Sequence, residues 1–225
     1  MILRNCPPDY SPKSDLTSHA VMIERAARRI KPGTIIDVGA SDGCWSASIR
    51  ETWPDAHLLL IEANPVYKPR SDELNQQSGA ALVWAVAGAN EGQTRVKFFD
   101  DQPCQGIQIA PTGTPSRVTT IDAELARTKL PAPYFIKLDV HGHELMILEG
   151  ARESLPQTCA LLIETYLWEP RWGSPCFWEL VPIMLRYGFR PTDLCDPCYR
   201  PSDGRCNAVD MLFEQSSAPG MDAWW

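Results

Sequence analysis

Thr34-Ile35-Ile36-Asp37-Val38-Gly39-Ala40-Ser41-Asp42-Gly43 opens the stretch, ending at Asn64, whose reading decides the fold. Its first five residues form a short apolar run rich in β-branched side chains, which predicts a buried strand. Gly39 to Gly43 is a small-residue turn that lets backbone approach a ligand closely. Cys44 to Trp53 predicts a helix closed by Pro54, and Leu58-Leu59-Leu60-Ile61 a second buried strand ending on Glu62. Strand, glycine turn, helix, strand and acid make a nucleotide-binding half-fold. The turn presents backbone N–H groups and a helix N-terminus to an anionic group. The acid at the tip of the second strand accepts hydrogen bonds from ribose hydroxyls.

The residues then narrow the ligand. A dinucleotide site asks for G-x-G-x-x-G, and only Gly39 and Gly43 are present. No G-x-x-x-x-G-K-[ST] for a triphosphate occurs. Asp37, one residue before the turn, would repel phosphate and suit a cation. S-adenosylmethionine fits better, because it has an ammonium, a carboxylate, a sulfonium and a ribose, and no phosphate. An ordinary βαβ unit would give the same turn; Glu62 in register favours the cofactor.

Composition sets bounds. A chain of 225 residues is long enough for one substantial domain. With 21 Lys and Arg against 28 Asp and Glu, the net charge is −7, which gives a nucleic-acid partner no electrostatic support. Neither a leader peptide nor a spanning helix is read at the N-terminus, so the expectation is a cytoplasmic protein with no membrane partner. The eight cysteines are scattered, which suits reduced thiols better than a disulfide scaffold.

Along the chain, the first sixteen residues are read as irregular, and Leu16 to Ile30 as a helix ending in Arg28 and Arg29. Ser71 to Ser78 is a further candidate helix, and Ala81 to Val86 a third buried strand. Thr94 to Phe99, Gln105 to Ala110 and Arg117 to Ile121 predict a small antiparallel excursion beside the main sheet. The boundaries expected are 1–33 for an N-terminal segment with its helix on the core, 34–214 for the cofactor-binding domain, and 215–225 for a tail.

Tyr134-Phe135-Ile136-Lys137-Leu138-Asp139-Val140 is a fourth core strand, followed by His141-Gly142-His143-Glu144 and a helix ended by Gly150. In an open α/β sheet, ligands sit beyond the carboxyl ends of the strands. Asp37, Glu62, Asp139 and Glu164 each end, or nearly end, an apolar strand. Strand ends that simply face water also carry acids, but four at one sheet edge are a stronger signal than any one of them.

Ile35-x-Asp37-Val38-Gly39-Ala40, Glu62-Ala63-Asn64-Pro65, Val118-Thr119-Thr120-Ile121-Asp122, the run from Phe135 to Glu144 and Leu148-x-Gly150-Ala151 occur in one order. In this the chain resembles the FkbM-family methyltransferases, from about Thr34 to Glu214. The resemblance implies a class I methyltransferase Rossmann-like α/β fold: a seven-stranded, mostly parallel sheet with helices on both faces and one antiparallel strand inserted near its edge. Phe189 to Leu194 and Ala208 to Phe213 would be the last two strands. It implies S-adenosylmethionine bound by Asp37, Gly39, Ala40, Ser41, Asp42, Gly43, Glu62, Ala63, Asn64, Val86 and Asp139. The implied activity is O-methylation of a sugar or natural-product small molecule, with N-methylation as the alternative. A non-catalytic binding domain and a nicotinamide enzyme are the competing classes, and the missing third glycine disfavours the latter.

His141 stands where that family commonly has an acid or amide. It is either the general base for an attacking hydroxyl, beside Asp139, or a solvated loop histidine. His143 is read as structural, hydrogen-bonded at the helix start. Glu164 and Trp168 are assigned to the acceptor side, with Trp168 and Trp172 in a Pro/Gly loop. Asp139 and Glu164, with His141, would suit a divalent ion, but no spacing marks a ligand set, and a metal is not expected to be required. Cys195-x-x-Cys198 with Cys206 is read as a loop of free thiols rather than a zinc site. Trp224 and Trp225, the oligomeric state and the acceptor are left unassigned.

Overall fold

In the computed structural model, residues 18–68, 72, 78–99, 106–169 and 173–222 are described. The irregular N-terminus, most of the Ser71 to Ser78 helix, Trp172 and Trp224-Trp225 lie outside them.

The strands are β1 (Thr34–Val38), β2 (His57–Glu62), β3 (Ala81–Trp84), β4 (Val86–Ala87), β5 (Gly92–Phe98), β6 (Ile107–Ile109), β7 (Thr114–Thr119), β8 (Tyr134–Leu138), β9 (Thr158–Tyr166), β10 (Phe189–Tyr199) and β11 (Cys206–Gln215). The helices are α1 (His19–Ala27), α2 (Cys44–Arg50), α3 (Ile121–Thr128), α4 (Glu144–Glu149) and α5 (Phe177–Arg186). Seven strands form the main sheet in the order β10-β11-β9-β8-β1-β2-β3. The pairs among β3, β2, β1, β8 and β9 are parallel, whereas β11 runs antiparallel to both β9 and β10. This is the class I methyltransferase topology, with its single reversed strand one place from the edge.

Both faces of the sheet are covered, so its central strands are buried along their whole length and read as continuous apolar runs. Alternation along each strand divides the core. Ile36, Val38, Ile136, Leu138, Leu161 and Ile163 meet α3, α4 and α5 on one face. Ile35, Leu58, Leu60, Phe135 and Leu162 meet α1 and α2 on the other. Each such side chain, taken wholly out of water, contributes roughly 1.5–3 kcal/mol.

Ser18 starts α1 by accepting the Val21 N–H, and Met22, Ile23 and Ala26 form its buried stripe. Arg25 then clasps Asp193 through Nε and Nη2, both at 2.9 Å, and Arg29 binds Glu214. These pairs fasten α1 across β10 and β11.

Three local expectations change. The third strand does not run through Val86: it leaves the main sheet at Ala85, whose N–H donates to the Glu62 carbonyl, and β4 joins a second sheet ordered β4-β7-β5-β6. The last strand of the excursion is Thr114–Thr119, because Thr120 caps α3 through the Ala123 N–H. Cys195 and Cys198 lie within β10 rather than in a loop.

Candidate active site

At the carboxyl ends of β1, β2, β8 and β9 opens a cavity of about 480 Å³, a size that suits a cofactor-sized ligand. Gly39 N–H and Ala40 N–H both donate to the Ile61 carbonyl, and Asp139 N–H donates to the Val38 carbonyl. Three strand ends are thereby stitched into one rim. Gly39 has φ +79°, and a Cβ there would lie 2.0 Å from the Asp139 carbonyl oxygen. The glycine is needed to let β1 pass β8, a reason the sequence does not reveal.

Glu62 lies on the cavity wall. Its Oε2 accepts the Ser41 N–H at 2.7 Å and its Oε1 accepts the Asn64 N–H at 2.6 Å. Burial raises its pKa, against the pull of the backbone N–H groups of Asn64, Ser41 and Ala63. These three donors leave the carboxylate room for a further one. Gly39, Ser41, Ala63, Asn64, Val86 and Asp139 line the same cavity, as do His141 and Glu164.

Asp37, Ala40, Asp42 and Gly43 do not line it. Side chains alternate along β1, so Asp37 falls on the α1–α2 face, fully buried, where its Oδ2 accepts from Ser46 Oγ at 2.6 Å. Ala40 packs into the core on that face. Asp42 accepts the Cys44 N–H, and Gly43, with φ +79°, is the N-cap of α2. These four residues build the turn from behind the cavity wall. Trp168 is also outside the cavity: its ring carries the Arg200 guanidinium at 4.1 Å, and its Nε1 donates to the Cys206 carbonyl.

Below the rim lies a charged row. Lys137 Nζ donates to Asp139 Oδ2 at 2.7 Å, stands 3.9 Å from Asp37 Oδ1 and sits over the Trp45 ring. Burial alone would lower the ammonium's pKa, but Asp37 and Asp139 outweigh it and raise it. Burial pushes Asp139 up, yet Lys137, then His141 and His19, pull it below the usual carboxylate range. Asp139 is thus a fixed negative charge on the cavity wall.

His141 leaves the end of β8 with φ +50°. The turn is held by Glu144, which is buried and accepts the Gly142 N–H with both oxygens. His141 Nδ1 lies 2.7 Å from Tyr166 Oη and 2.9 Å from Glu164 Oε2, while Nε2 faces Asp139 Oδ1 at 3.9 Å. Tyr166 gives its one proton to Glu164 at 2.5 Å, so Nδ1 carries the ring proton and Nε2 the lone pair. Burial pulls the His141 pKa down, but Glu164, Asp139 and Glu144 more than reverse this and raise it.

His143 departs from expectation. It is the N-cap of α4, but makes no side-chain cap bond; its Nδ1 is buried without a partner, and the residue lines the cavity. Tyr166 belongs to an aromatic segment that the sequence offers as the roof of an acceptor pocket, but its bond to Glu164 is not read from it; the signal is Glu164-x-Tyr166, a spacing of two that puts both side chains on one face of a strand. Asp139, His141 and Glu164 bring donor atoms within 4.8 Å of one another, as a divalent ion would require. Cys195, Cys198 and Cys206 form no such group among the described residues, and the six described cysteines are free thiols.

The methyltransferase FkbM domain family matches residues 37–191. Among solved structures, M. capricolum TrmK in complex with its natural cofactor product S-adenosylhomocysteine aligns at TM-score 0.50 and 7% identity, over 88% of this chain and 69% of that one. Precorrin-6y C5,15-methyltransferase from Geobacter metallireducens GS-15 aligns at TM-score 0.47 and 12% identity, over 92% and 93%. At these identities the likeness is one of fold. No curated protein matches the chain. No helix among the described residues is long and apolar enough to cross a membrane.

Proposed function

The chain belongs to the FkbM methyltransferase family, and from that premise we propose that it methylates a hydroxyl of a small molecule, with His141 as the base. Its class is S-adenosylmethionine-dependent methyltransferase; the acceptor and the residue roles are the proposal. The cavity fits that cofactor. Glu62 has acceptor capacity left for a ribose hydroxyl, and Ile61, Ala85, Val86 and Ala87 offer an apolar wall for a flat ring. Gly39, Ser41 and Asp139 line the end where a cationic centre would lie on this reading. Bound S-adenosylmethionine supplies a methyl group activated by its sulfonium.

What remains for the protein is to align the acceptor and take its proton. The observation that carries the reading is the orientation of His141: Nδ1–H is held by Glu164 and Tyr166, which leaves the basic Nε2 on the side of Asp139, and both residues line the cavity. An acceptor hydroxyl hydrogen-bonded to Nε2 would lose its proton there as the carbon–oxygen bond forms. Glu164 would then stabilise the imidazolium.

The reading is tested by titrating the protein calorimetrically with S-adenosylmethionine and with NAD, then following S-adenosylhomocysteine release over polyhydroxylated and amine acceptors. Binding of S-adenosylmethionine alone and turnover on hydroxyl acceptors are expected. Methylation of amines only would replace the hydroxyl assignment, and binding without turnover on any acceptor would favour the non-catalytic class. Adding magnesium or manganese to chelator-treated enzyme should leave turnover unchanged. If either ion restores a lost activity, Asp139, His141 and Glu164 hold a metal instead.

A further inference from the structure

We propose that His19, Cys195 and Asp210 form a zinc site, separate from the cofactor cavity, that fastens α1 to the β10–β11 hairpin. The three come from three elements: the first residue of α1, the middle of β10 and the middle of β11. One donor atom from each lies within 4.8 Å of the other two. Cys195 is 1% exposed and Asp210 9%, so the donors are largely out of water. His19 Nε2 contacts Asp210 Oδ2 directly. None of the three lines the cofactor cavity.

The chemistry of the set favours zinc over magnesium or calcium. A thiolate, an imidazole and a carboxylate are ligands of a borderline-soft ion in tetrahedral geometry, with water free to fill a fourth place. Zinc-bound histidines almost always donate their second ring N–H to a carboxylate, a backbone carbonyl or a water. Here His19 Nδ1 faces Asp196 Oδ2 at 3.8 Å. Asp196 itself has φ +49°, at a register shift between Cys195 and Cys198. The local backbone outlier therefore lies beside the ligand it would help to orient. One thiolate, one carboxylate and a neutral imidazole balance two positive charges. The Cys195 thiol proton, with any proton on the His19 imidazole, passes to solvent as the ion enters.

The geometry gives the site a structural task. Arg25–Asp193 within α1 and Arg29–Glu214 just past its end clamp the same seam, and a metal at His19 would close its first turn.

The test uses the whole chain, stripped with a chelator and titrated with Zn²⁺ alone. One equivalent should bind more tightly than about 1 μM and raise the melting temperature. Co²⁺ in its place should give a near-ultraviolet thiolate-to-cobalt charge-transfer band that Cys195→Ser lacks. His19→Gln should weaken zinc binding by at least tenfold, and Asp196→Asn by about tenfold. Absence of tight zinc binding overturns the proposal. So does zinc binding unchanged in Cys195→Ser, which would place the ion at Asp139, His141 and Glu164. Should Cys195→Ser fail to fold, the wild-type cobalt spectrum decides alone: no thiolate band, no site.

Discussion

Glu164 Oε2 lies 2.9 Å from His141 Nδ1, and the opposite ring nitrogen faces Asp139 at 3.9 Å. One carboxylate therefore fixes the tautomer while the other marks the side on which a proton can be received. His141→Asn should lower kcat by roughly 10²-fold or more, as loss of a general base does, with S-adenosylmethionine affinity unchanged by calorimetry. Normal turnover in this variant would remove His141 from the reaction.

The same pairing sets a pH dependence. His141 has its pKa raised: burial lowers it, but Glu164, Asp139 and Glu144 prevail. The neutral ring is needed for proton transfer, so turnover should fall as pH drops through a midpoint above the ordinary 6.5. The folded state binds this proton more tightly than the unfolded chain. Its contribution to stability is thus complete below about 6.5 and lost as pH rises through the higher folded value. Glu164→Gln should move the acid limb of the pH–rate profile to lower pH; a limb that stays in place would assign it to another group.

On the proposed reading Glu62 has two tasks, and its variants should show both. Glu62→Ala removes the acceptor of the Ser41 and Asn64 N–H groups and, on that reading, of the ribose hydroxyls. Losing charge-assisted hydrogen bonds costs roughly 1.5–3 kcal/mol. S-adenosylmethionine affinity should fall more than tenfold, measured by calorimetry on protein whose circular dichroism matches the wild type. Unchanged affinity would place the ribose elsewhere.

Gly39→Ala should act on folding rather than on the cofactor alone. Its Cβ would lie 2.0 Å from the Asp139 carbonyl oxygen at φ +79°. A left-handed backbone costs a side chain roughly 1–2 kcal/mol, and forcing β8 from β1 adds to this. The melting temperature should drop without ligand present; an unaltered melt would return the glycine to a purely ligand-facing role.

Much of this was legible because the central strands are buried on both faces. Such strands appear as continuous apolar runs, and their ends fall on Glu62, Asp139 and, two residues early, Glu164. The sequence was less informative where long-range pairing decides. Nothing in Ala81 to Val86 marks the change of sheet at Ala85. Pro197, between Cys195 and Cys198, suggests a loop, but β10 is the outer strand of the sheet, where proline is tolerated. The stacking of Arg200 on Trp168 joins residues 32 positions apart, which the sequence does not reveal. The position of Asp37 near a strand end is visible in the sequence, but the face it occupies depends on register.

Because residue 141 sits at φ +50°, variation at this position is confined to a narrow alphabet. Asparagine, aspartate and glycine accept such a backbone, whereas valine, isoleucine and threonine resist it. Evolution, or a combinatorial library, can exchange the imidazole for an acid, an amide or nothing without disturbing the loop, but cannot trade it for an apolar wedge. Changes of cavity shape are more easily accommodated at the flanking wall, at Gly106, Ile107 and Ile147, than at residue 141.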